Sequence, residues 1–184
     1  MKKIVILFSG AGFNAQNIVK KLHLKECEVL CGITNKKDAG GIDKLKTLSI
    51  KTEVLEHTKF DSREVFDTEL VELINSYKPD LVVLSGFMRI LSEVFTSNIK
   101  AINLHPSLLP KFKGAMAIER SFADADNKCG VSVHYVSSEL DGGKIILQKE
   151  FTKIDSDTIE SFTDKIKTIE YEIMPQAITK VLRS

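Results

Sequence analysis

The sequence predicts an α/β fold: a doubly wound, mostly parallel sheet with a C-terminal antiparallel hairpin and a closing helix. Three observations carry that expectation. Short apolar runs alternate with helical patterns from residue 3 to residue 104, the βαβ rhythm of a parallel sheet. Residues 130 to 151 then change character, with two strand-like runs on either side of a Gly-Gly turn. From about Asp157 onward the apolar residues fall at alternating three and four spacing, as on one face of a long helix.

Each element follows from its own stretch. KIVILF (residues 3–8) is a buried strand. Two lysines precede it, as in a signal peptide, but the apolar run from Ile4 to Phe8 is too short for one and ends at Ser9-Gly10. A helix is expected from about Asn14, a strand at EVLCGIT (28–34), a helix near Gly41 to Leu48, and a short strand at KTEVL (51–55). The helix from about Ser62 to Tyr77 places Phe66, Leu70, Leu73 and Tyr77 in one stripe. Pro79 marks the entry to the strand Asp80 to Leu84, and Ala101 to Leu104 gives the next strand. A helical stretch around Gly114 to Ala125 leads to the alternating strand Gly130 to Val136, whose partner is Lys144 to Phe151. In the closing helix Ile159, Phe162, Ile166, Ile169 and Ile173 form the apolar face, and Pro175 is expected to kink or divide it.

With 184 residues, 43% of them hydrophobic, the chain is expected to form a single domain that buries about 70% of its unfolded surface. Lys plus Arg number 26 against 25 Asp plus Glu, which gives no strongly basic surface for nucleic acid. No apolar stretch approaches the roughly 20 residues that cross a bilayer. The expected partners are therefore small molecules, with any anion met locally, and the expected state is monomer or homodimer. Cys27, Cys31 and Cys129 form neither a disulfide set nor a zinc pattern and read as reduced core thiols of a cytoplasmic protein.

Four stretches bear on chemistry. In INLHPSLLP (102–110) strand alternation puts Ala101, Asn103 and His105 on one face, and Pro106 ends the ladder at a carboxyl end, where open α/β sheets bind ligands. A strand edge facing water is the alternative. SGAGFNAQN (9–17) offers Gly10 and Gly12 and then free helix N–H groups, which suit a monophosphate better than NAD or ATP, because the third glycine and the P-loop lysine are missing. A plain structural turn is the alternative there. LSGFMRILS (84–92) exposes Phe87, Met88, Ile90 and Leu91, which line a pocket for a flat organic group or belong to the core. SSELDGGKI (137–145) sets Asp141 at a glycine turn. Taken with His105, this carboxylate is expected to raise the imidazole's pKa, and Asn103 to donate to a developing oxyanion, giving an acyl-transfer site without a covalent nucleophile. His134 is a further candidate, as the third ligand of a metal site with His105 and Asp141, though no metal-ligand spacing supports it. His23 and His57 read as solvated surface residues.

In order and spacing, GAGFN, NKKDAGG, FDSREVFD, LSGFMRIL, INLHPSLLP and SVHYVSSELDGG resemble the phosphoribosylglycinamide formyltransferases of the folate-dependent formyltransferase family. The resemblance covers essentially the whole chain. It implies a single formyltransferase domain over 1–184, with residues 1–100 as the nucleotide- and phosphate-binding half and 101–184 as the catalytic and folate-binding half. It implies 10-formyltetrahydrofolate as co-substrate, glycinamide ribonucleotide as acceptor, and no metal. The family's catalytic residues fall on Asn103, His105 and Asp141. Its acceptor contacts fall on Gly12, Phe13, Asn14, Lys167 and Glu170, and its folate contacts on Arg63, Met88, Arg89, Ile90, Leu91 and Asn103. Two departures are visible. Phe13 stands where the family usually has serine, and KFKGAMAIERSF (111–122) is closer to formyltransferases acting on methionyl-tRNA or nucleotide sugars. Another amine as acceptor, or hydrolysis of the same folate, is the alternative activity.

Overall fold

Five strands run parallel: β1 (Lys3–Phe8), β2 (Glu28–Thr34), β3 (Thr52–Val54), β4 (Leu81–Leu84) and β5 (Ala101–His105). Two more, β6 (Lys128–Tyr135) and β7 (Ile145–Thr152), continue the same sheet antiparallel, in the order β3-β2-β1-β4-β5-β6-β7. The computed structural model describes residues 1–184. This is the expected doubly wound sheet with its hairpin, and the strand order reverses between β1 and β4.

Alternation along the strands builds two cores. Ile4, Ile6, Val83, Ile102, Leu104, Val131 and Val133 face one way. There they meet α1 (Phe13–Leu22), α2 (Gly41–Lys46) and the closing helix α6 (Ile159–Arg183). Val5, Leu7, Val82, Leu84 and Ala101 face the other way, onto α3 (Arg63–Tyr77) and α4 (Glu93–Asn98). Asn103 and His105 share the Ala101 face by the same alternation. α5 (Ala117–Ala123) packs Ile118 and Phe122 on the first core.

Several expectations shift. The buried stripe of α3 is Phe66, Leu70 and Ile74, with the Asp67 carboxylate also buried; Leu73 and Tyr77 lie at its edge. Pro175 does not divide α6, which runs unbroken from a Thr158–Ser161 capping box and buries Pro175 in the core. α4 follows the 84–92 loop, where no helix was expected from the sequence. All three cysteines are free and buried, and burial pushes the Cys27 thiol up to about 11 and the Cys31 thiol to about 12. No helix is long and apolar enough to cross a membrane. His23 and His57 are half-buried rather than solvated: His23 Nδ1 accepts from the Val29 amide, and His57 Nδ1 lies 3.1 Å from Asn35.

Candidate active site

The last residue of β5 is His105, and its position follows from the pairing of β5 with β6. Asn103 lies opposite His134 and His105 opposite Ser132, so all four side chains occupy one face at the carboxyl end of the parallel sheet. A register shift between Val133 and His134 bends β6 at this point. Beyond β6 the chain turns back through Asp141, itself left-handed at φ 50°. Gly143 permits that return, because a Cβ there would stand 1.8 Å from the Tyr135 carbonyl oxygen. The turn lays Asp141 against the strand ends.

Asp141 is the hub. Its Oδ2 lies 3.3 Å from His105 Nδ1 and accepts from the Gly114 amide at 2.8 Å. Its Oδ1 lies 3.5 Å from His134 Nε2 and 3.5 Å from Asn103 Nδ2. Burial works to raise this carboxyl, but the hydrogen bonds from His134 and Gly114 and the charge of both imidazoles outweigh it and bring it down to about 2. Asp141 is thus ionised at any working pH.

His105 is pulled two ways. Burial pushes the imidazole below its ordinary value, against the Phe112 carbonyl and the Asp141 carboxylate, which favour the charged ring. Asp141 raises the imidazole as expected, but burial prevails, so the resting ring is neutral at neutral pH. The Phe112 carbonyl can only accept, at 2.9 Å, so the proton sits on Nε2. His134 Nδ1 donates to the Tyr135 carbonyl at 2.8 Å, which turns Nε2 toward Asp141 and Asn103, 3.5 and 3.4 Å away. Asn103 is held only by contacts at the long limit of hydrogen bonding and keeps its amide free for a ligand. His134 is therefore a hydrogen-bond partner, and no group of three or more His, Cys, Asp or Glu side chains has the geometry to hold a metal ion.

These residues form the floor of a cavity of about 570 Å³ lined also by Met88, Arg89, Ile90, Leu91, Leu104, Met116 and Val136. Phe87 belongs to the core, whereas Met88 and Ile90 are exposed lips. The backbone N–H groups of Ile90 and Leu91 have no hydrogen-bond partner within the chain, which fits a flat ligand with a polar edge. Arg63 does not line this cavity; it borders a shallow adjoining cleft with Ile90, Leu91 and Ser138.

The glycine loop forms a second locus. Gly12, at φ 72°, is the N-cap of α1, and its backbone packs directly on Gly41, where a Cβ would stand 2.4 Å from the Gly41 Cα. Phe13 is exposed, with the Lys44 ammonium 4.3 Å from its ring centre. Asn14 donates from Nδ2 to Glu170 Oε2 at 2.9 Å, while its own Oδ1 is buried without a partner. Burial raises the Glu170 carboxyl, opposed by Asn14 and by the charge of Lys167, one turn earlier on α6. Lys167 is exposed and 3.7 Å from Asp164. Sequence spacing gave no signal for Phe112 or Gly114, whose contacts come through their backbone atoms.

Comparison with known proteins adds to this geometry. The formyl transferase family matches residues 2–178. A phosphoribosylglycinamide formyltransferase of Escherichia coli is 40% identical over 180 residues, covering 96% of this chain and 85% of that protein. The crystal structure of a phosphoribosylglycinamide formyltransferase from Campylobacter jejuni superposes with a TM-score of 0.94 at 50% identity, covering 98% of this chain and 97% of that one. The human trifunctional purine biosynthetic protein adenosine-3 is 34% identical over 183 residues, 97% of this chain but 18% of its own length.

Proposed function

The chain belongs to the formyl transferase family, and from that premise we propose that it transfers the formyl group of 10-formyltetrahydrofolate to the amine of glycinamide ribonucleotide, a step of purine biosynthesis. The observation that carries this reading is the Asn103, His105 and Asp141 cluster on the floor of a largely apolar cavity, where the neighbouring Ser132 hydroxyl is fully buried and donates to the Ser107 carbonyl. Relatives bearing the glycinamide name, at 40% and 50% identity over nearly the whole chain, support glycinamide ribonucleotide as the acceptor.

The folate donor fits the cavity between Met88 to Leu91 and the 136–141 turn, its polar edge on the free amides of Ile90 and Leu91. Arg63 lies at the outer cleft, where it meets the donor's far end. The acceptor's phosphate rests on the amides of Gly12, Phe13 and Asn14, with Glu170 and Lys167 oriented to the rest of the molecule. Residues of both halves thus serve both substrates, and the chain works as one domain.

In the reaction the neutral glycinamide amine attacks the formyl carbon, and a tetrahedral intermediate forms with charge on the former carbonyl oxygen. Asn103 Nδ2 donates to that oxygen, joined by the His105 N–H as the Phe112 carbonyl gives way. The proton leaving the amine passes through water and His105 to N10 of the departing tetrahydrofolate. In transit the Nδ1–H of the imidazolium has the ionised Asp141 as its acceptor, while the Nε2–H released from Phe112 faces the reacting atoms. No step requires a metal. An absorbance assay with 10-formyltetrahydrofolate tests the reading: tetrahydrofolate forms only when glycinamide ribonucleotide is added. Formyl loss without acceptor would replace it with the hydrolase reading.

A further inference from the structure

The two substrate loops leave the sheet side by side. β1 runs into the glycine loop and its neighbour β4 into residues 85–92, at the crevice where the strand order reverses. Ser9, the first residue after β1, is 2% exposed and fastens the loops together. Its backbone N–H donates to the Gly86 carbonyl at 3.0 Å, and its Oγ accepts from the Met88 amide at 2.7 Å. The hydroxyl proton is committed as well, donated to Asn35 Oδ1 at 2.6 Å; Asn35 is also 2% exposed and leans on His57. The Met88 side chain is 74% exposed at the lip of the cavity, so no apolar packing holds that residue in place.

We propose that Ser9 is a positioning residue for the formyl donor. Through the Met88 amide it holds the 86–91 loop so that the Ile90 and Leu91 amides face the cavity, and it ties that loop to the one that takes the acceptor. Serine suits the position because one hydroxyl accepts from Met88 while donating to Asn35; alanine would leave both partners without a bond. The inference rests on the reading of the reaction given above.

The test is the split between the two substrates in Ser9→Ala. Donor KM rises about tenfold, as for a lost interior hydrogen bond, while acceptor KM stays within about twofold and kcat within about threefold. Asn35→Ala, which frees the Ser9 hydroxyl to turn from Met88, shows the same split at about threefold and serves if Ser9→Ala does not fold. Calorimetric titration with tetrahydrofolate reports the same weakening without turnover. An unchanged donor KM and tetrahydrofolate affinity, or equal rises for both substrates, overturns the proposal. Wild-type protein lacking acceptor-dependent transfer sinks the reaction reading instead, and the tetrahydrofolate titration still decides the role of Ser9.

Discussion

At the scale of single residues, the site turns on which charge survives burial. Asp141 keeps its charge because hydrogen bonds from His134 and the Gly114 amide outweigh its burial, whereas the neighbouring His105 loses its own to desolvation. Asp141→Asn removes a negative charge that favours the imidazolium, so the His105 titration followed by NMR moves further down. A midpoint that stays or rises would show that Asp141 does not act on the ring. His105→Ala or Asn103→Ala should cost on the order of 100-fold in kcat, and near-normal turnover in both would remove them from the chemistry. Phe13 supplies no hydroxyl to the phosphate locus, but it carries the half-buried Lys44 ammonium, which has no carboxylate partner, beside the first amides of α1. Lys44→Ala should raise acceptor KM about three- to tenfold, less at high salt, and leave donor KM unchanged.

At the scale of elements, α1 and α2 meet through glycine backbones, and the phosphate loop depends on that approach. Gly12→Ala meets both a left-handed φ and the Gly41 backbone 2.4 Å away, so α1 must move. The expected result is an acceptor KM raised tenfold or more with a lowered Tm; an unchanged KM would mean the loop is not the phosphate locus. The closing helix is anchored by Phe162, fully buried with Phe122 and Phe151 each 5.3 Å away between ring centres. Phe162→Ala should cost about 3 to 5 kcal/mol in denaturant unfolding. Most elements were legible from apolar spacing, since burial imposes the period of two or 3.6 directly. α3 shows the limit: Ile74 and Asp67 point inward because the β1–β4 surface sets the helix's rotation, and the 62–77 pattern alone does not fix it. Pro175 does not divide α6, its cost inside a helix being offset by its own burial and that of the residues around it.

At the scale of the whole molecule, Asp141 and His105 make stability fall with acid in two windows. Both have folded pKa values below their unfolded ones, so the unfolded chain binds protons first as pH drops. His105's contribution is complete above roughly pH 6.5 and declines below it, and that of Asp141 is complete above about pH 4 and is lost toward pH 2. The Asp141 part is on the order of 2 kcal/mol. In urea unfolding, the wild-type midpoint should drop further between pH 4 and pH 2 than that of Asp141→Asn, by roughly 1 M. Parallel curves would deny the carboxylate that role. The sequence by itself determined the sheet, the hairpin, the closing helix and the face shared by Asn103 and His105, because alternation and spacing are local properties. Only the tertiary structure decided that His134 serves as a hydrogen-bond partner, that His105 rests neutral, and that Ser9 joins two loops 79 residues apart. Those outcomes depend on burial and on which backbone groups arrive from distant segments, and neither is written in any one stretch of chain.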